Sequence, residues 1–205
     1  MKTTFHSNGT PHLQPVIAAL NGLSRRHFLR AAAALAVAPG TAGLATSAAA
    51  TTGAGLPAGV RFMNADEAAI FQRVAEVTLP MEGSTLQAWA RDGLLQTLDA
   101  ALLATMEPHI LQGLKGGLQY FNEGPQSAFG ARFVGLTDAQ ASTFCDRWSD
   151  SIEPAQRGLT MGLKKLVQLS YWANPATWPA IGYDGPMSRR LGLPMQGNAP
   201  LPTRS

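Results

Sequence analysis

Between Asn64 and Tyr171, apolar residues recur at three- and four-residue intervals in five successive runs. Each run is bounded by a cap, a proline or a glycine, and that spacing predicts amphipathic helices and almost no strands. Asn64-Ala65-Asp66-Glu67 reads as a capping box, with Asn64 as N-cap and Glu67 three residues on. Behind it Ile70, Phe71, Val74 and Val77 line one face until Pro80 stops the helix. Leu94, Leu95, Leu98, Ala101 and Leu102 make a second face. Pro108 opens a third helix, with Ile110, Leu111, Leu114, Leu118 and Phe121 inward, closed by Gly124-Pro125. Thr137-Asp138-Ala139-Gln140 is another capping box, ahead of Ala141, Phe144, Cys145 and Trp148. Pro154 starts a fifth helix whose Leu159, Leu163, Leu166, Val167 and Ser170 face inward, ending near Tyr171. The expected fold is all-α: a compact bundle of about five helices over residues 62–186. No fixed period relates the helices, so a repeat architecture is not expected.

Charge narrows the function classes. The net +3 comes from the amino terminus, where Lys2, Arg25, Arg26 and Arg30 precede the first acidic residue, Asp66. From Thr51 onward twelve Lys and Arg face thirteen Asp and Glu. The body is close to neutral, without the basic footprint of a nucleic-acid binder. Cys145 is the only cysteine, which excludes an intramolecular disulfide, a cysteine-based zinc or iron–sulfur site and covalently attached haem c.

Motifs that carry chemistry are missing from the body. No G-x-G-x-x-G follows a strand, and the glycines from Gly113 to Gly117 lie inside a helical pattern. Walker, H-E-x-x-H, G-x-S-x-G and EF-hand patterns do not occur. After residue 50 the single histidine is His109, at a helix start, where it reads as a surface or capping residue. Cys145 falls on an apolar face and reads as an inert buried thiol. Glu82, Asp92, Asp99 and Glu107 stand singly and read as solvated surface. No catalytic, cofactor-binding or metal-binding residue is therefore assigned to this chain.

The most specific short motif is Ser24-Arg25-Arg26-His27-Phe28-Leu29-Arg30. It resembles the twin-arginine export signal, with Ser24, Arg25, Arg26, Phe28 and Leu29 in the signature positions and Arg30 where Lys is usual. Residues 31–38 are apolar, Pro39-Gly40 breaks them, and no charge falls between Arg30 and Arg61. Ala48-Ala49-Ala50 offers a small-x-small cleavage site, which puts the mature start near Thr51. The residues before Ser24 read as a long polar leader. The Ala, Thr and Gly content of the following segment argues against a spanning helix, which needs about 20 strongly apolar residues. Accordingly, residues 1–50 are expected to be a cleaved export signal and residues 51–61 a linker, with a periplasmic destination.

The carboxy-terminal stretch differs in composition. Residues 170–186 hold two of the four Trp and two of the three Tyr. Asn174-Pro175 ends the preceding helix and Asp184-Gly185-Pro186 marks a turn. Two readings stay open: aromatics folded back to cap the bundle, and a partner surface, since Trp and Tyr anchor interfaces. Tyr171, Trp172, Trp178, Tyr183, Asp184 and Pro186 are the candidate contacts. Residues 187–205 are Pro-rich and expected to form an extended tail.

Taken together, the twin-arginine leader, the Asn-x-x-Glu helix ending in Val77-Thr78-Leu79-Pro80, and the final Trp178…Ile181-Gly182-Tyr183-Asp184-Gly185-Pro186 form a pattern. It resembles the small subunit (subunit 3 family) of membrane-bound gluconate 2-dehydrogenase, over roughly residues 62–186. The resemblance implies a non-catalytic subunit beside a large FAD-bearing oxidoreductase of the glucose–methanol–choline type, and usually a multihaem cytochrome c. It further implies membrane association through those partners, and co-export of the flavoprotein through the twin-arginine (Tat) translocase. Two other readings remain: a freestanding periplasmic binding or scaffold protein, and a stand-alone exported enzyme using Tyr171, Asp184 or His109.

Overall fold

The computed structural model describes residues 13–22, 55–79, 81, 84 and 90–192. These residues form an all-α fold, with no strand among them. The elements in chain order are α1 (Gln14–Gly22), α2 (Ala65–Thr78), α3 (Arg91–Thr97), α4 (Pro108–Glu123), α5 (Gln126–Phe129), α6 (Asp138–Ser149), α7 (Pro154–Trp172) and α8 (Met187–Arg190). The first part of the linker expected at 51–61 and the Pro80 stop lie outside the described residues. So do the arginine motif, the apolar run at 31–38 and the cleavage site.

Both capping boxes are present. Asn64 Oδ1 accepts from the Glu67 amide at 2.9 Å, and Glu67 Oε2 accepts from the Asn64 amide at 2.9 Å. Thr137 and Gln140 make the same reciprocal pair ahead of α6. Pro108 and Pro154 each sit in the first turn of their helix, where the missing N–H costs nothing. Past Thr97 the third helix widens into a π-helical turn, Leu98–Leu102, then tightens to a 3₁₀ turn at Leu103–Thr105. α8 departs from the sequence expectation, because residues 187–190 form a helical turn where an extended tail was expected.

α7 is the central element, packing against α1, α2, α3, α4 and α6. Leu159, Leu163, Leu166 and Val167 are fully buried along it. An aromatic cluster closes one side: Phe121 meets Phe133 at 4.7 Å, Phe144 at 5.1 Å and Trp148 at 5.5 Å, all near edge-on.

The largest departure from the sequence reading is α1. Leu13, Val16, Ile17 and Leu20 lie in the core, spaced as one face of a helix. Residues 13–22 are thus an amphipathic core helix rather than a polar leader, and limits drawn at 62–186 leave this element out. α1 rests against α4 and α7. Its close approach depends on glycine. A Cβ at Gly113 would strike Val16, one at Gly162 would strike Leu20, and one at Gly158 would lie 2.6 Å from Ile17. Lys165 Nζ donates to the carbonyls of Leu20 and Asn21, both at 3.1 Å, satisfying the carboxy-terminal end of the helix.

Candidate partner surface

The fold separates the six carboxy-terminal candidates into two groups. Tyr171 is buried in the core, and that burial pushes its hydroxyl pKa up. Its ring meets Trp172 edge-on at 4.8 Å. After α7 the chain takes two 3₁₀ turns, Pro175–Thr177 and Pro179–Ile181, the first capped by Asn174 Oδ1 accepting from the Ala176 amide. These turns fold the loop back so that Trp178 is buried, with its Nε1 donating to the Trp172 carbonyl at 2.8 Å. Gly182 and Gly185 adopt positive φ, and a Cβ at Gly185 would lie 3.1 Å from the Trp178 ring.

Tyr183 packs edge-on against Trp178 at 5.1 Å, yet stays 38% exposed. Asp184 is exposed and lies 3.8 Å from Arg190, and Pro186 is half-buried. The aromatic loop therefore has two sides, one capping the bundle and one facing out. On the outer side the sequence reasoning had named Tyr183, Asp184 and Pro186. Ile181, Met187 and Leu191 are exposed as well, so four of the nine exposed large apolar residues among those described fall within residues 181–191. Single exposed apolar residues are ordinary on a protein surface; these four follow one another within eleven residues, and the Leu191 amide donates to the Met187 carbonyl across the last helical turn. The signal for Met187 and Leu191 lay in plain sight, as large apolar residues in a segment expected to be solvated.

The titratable groups singled out in the sequence take separate places in the fold. Cys145 is buried among apolar side chains, which pushes its thiol up to about 11, with Lys164 only partly opposing this. His109 is exposed and 3.4 Å from Glu107. Asp99 is a correction: instead of being solvated surface it is 1% exposed, and its two oxygens accept from the amides of Arg61 at 2.9 Å and Phe62 at 2.8 Å. It ties the segment before α2 to the π-helical turn. Asp92 is exposed and pairs with Arg91 at 3.1 Å, while Glu82 lies outside the described residues. Glu67 also carries a second duty, pairing with Lys115 of α4 at 2.7 Å.

A half-open recess of about 420 Å³ lies beside Tyr120, Phe144, Arg147, Trp148 and Gln156. Its polar groups turn to each other, since Gln156 accepts from Ser151 Oγ and donates towards Tyr120 Oη. Among the described residues no three His, Cys, Asp or Glu gather as a metal site, and no helix is long and apolar enough to cross a membrane. No family model, curated protein or solved structure matches the chain.

Proposed function

We propose that this chain is a non-catalytic accessory subunit of a periplasmic FAD-dependent sugar, alcohol or acid dehydrogenase, addressed for export by Arg25 and Arg26. The observation that carries the reading is the run of exposed apolar residues Ile181, Tyr183, Met187 and Leu191, which follows the point where Trp178 ties the chain back to the bundle. Exposed apolar side chains of this size suit contact with another protein. In this scheme FAD and haem c belong to partner subunits, and the translocase reads Ser24 to Leu29.

A carboxy-terminally tagged full chain, isolated from its native cells, is expected to bring down a large yellow chain with flavin absorbance. Changing Arg25 and Arg26 together to Lys is expected to leave that chain's dehydrogenase activity in the cytoplasm. The double Lys change is preferable to deleting residues 1–50, which would also remove α1 from the core. A colourless lone chain, or undiminished periplasmic activity in the Lys variant, counts against the reading. The alternative, a freestanding binding protein, draws on the recess beside Trp148 and would show as a small-molecule ligand without a flavoprotein.

A further inference from the structure

α1 precedes the cut expected after Ala50, yet it is built into the core. Leu13, Val16, Ile17 and Leu20 are each less than a tenth exposed, and their i, i+3, i+4 and i+7 spacing makes one helix face. Beneath them lie two pairs of glycines, each pair four residues apart. On α4, Gly117 is under Leu13 and Gly113 under Val16; on α7, Gly158 is under Ile17 and Gly162 under Leu20. Glycine is unfavourable inside a helix, so these four weaken α4 and α7 unless something packs on them, and α1 does. The helix carries no charged residue, and Lys165 holds its end by two backbone carbonyls. Withdrawal would put four aliphatic side chains and the groove beneath them into water together.

The cut is distant from this seat. Residues 23–50 separate Gly22 from the Ala50–Thr51 bond. Fully extended, a stretch of that length reaches about 90–100 Å. Hydrolysis of the bond consumes one water, leaves a carboxylate on Ala50 and an amine on Thr51, and touches none of the groups that hold α1. We infer that the groove between α4 and α7 is the binding site of this chain's own leader, and that α1 stays seated there after the cut. The processed protein is then two chains, 1–50 and 51–205. Packing alone joins them, since Cys145 is the only cysteine. The place of the cut rests on the export reading above; the seat does not.

The test cuts the full chain. A recognition sequence for a site-specific protease is placed between Ala50 and Thr51 of the carboxy-terminally tagged protein, which is cleaved to completion in native buffer, as checked on a denaturing gel. The two pieces are expected to elute together in size exclusion and to separate only in denaturing urea. Elution of the tagged body without the 1–50 piece overturns the proposal. Leu20→Ala, which trims the side chain over Gly162, is expected to lower the urea concentration that frees the piece. Release at the same urea concentration in both proteins would place the hold elsewhere and overturn the proposal as well. In native cells the tagged body is expected to begin at Thr51 and still to bring an equal amount of residues 3–25, which trypsin releases as one peptide between Lys2 and Arg26. A body that begins at Thr51 and lacks this peptide overturns the proposal. A chain found uncut counts against the place of the cut, which belongs to the export reading, and the purified cleaved protein then decides the proposal by itself.

Discussion

Asp99 and Cys145 show how far one side chain's role depends on what packs over it. Two amides of the segment before α2 end on the Asp99 carboxylate. Asp99→Ala leaves both donors without this partner and is expected to cost about 2–4 kcal/mol, measured by urea unfolding. Asp99→Asn keeps one acceptor oxygen and is expected to cost less. The Cys145 thiol titrates at about 11 in the fold against 9.0 for an ordinary thiol, chiefly because burial disfavours the thiolate. As pH rises through that window the unfolded chain loses this proton first, so stability falls between pH 9 and 11, by about 2–3 kcal/mol from this group. Below pH 8 the contribution is complete and constant. Cys145→Ala is expected to remove that part of the alkaline decline, read as a smaller difference in urea midpoint between pH 8 and pH 10.5. The burial of Cys145 was legible from its place on an apolar stripe. That of Asp99 was not, because the amides that satisfy it come from residues 37 and 38 positions away.

At the scale of elements, legibility follows the range of the signal. The two capping boxes and the two first-turn prolines act within one turn, so the starts of α2, α4, α6 and α7 could be read directly. α1 is as amphipathic as α2 and α6 but only nine residues long, and a strong export motif follows it almost at once. Its meaning rests on glycines about a hundred or more residues downstream, where Gly113, Gly158 and Gly162 resemble mere interruptions in helical stripes. Leu20→Ala is expected to destabilise the full-length protein by about 2–5 kcal/mol, since the side chain is fully buried. A residue in a solvated leader would give almost no change, so a thermal unfolding comparison decides between the two descriptions of this segment. Gly162→Leu, which fills the place of the Leu20 side chain from the opposite wall, is expected to destabilise as well, by overpacking.

Over the whole molecule, the core and the outward patch are separable. Ile181 and Met187 are more than half exposed, so changing both to Ser is expected to leave the unfolding free energy within about 0.5 kcal/mol. The same double change is expected to reduce the amount of flavoprotein recovered with the tagged chain. Equal recovery would move the partner contact elsewhere on the surface. Trp178→Ala should behave differently, lowering stability and recovery together, because its ring holds the loop in place.

The contact between Lys165 and the end of α1 also fixes an order of events on the ribosome. The bond joins residues 145 positions apart, and the second wall of the groove does not exist until Gly158 and Gly162 have been made. At translation rates of roughly 5–20 residues per second, the amino-terminal helix waits about 7–30 s for its seat. The earliest of the described helices to be synthesised is therefore among the last to be placed, waiting for its seat until α7 has been made.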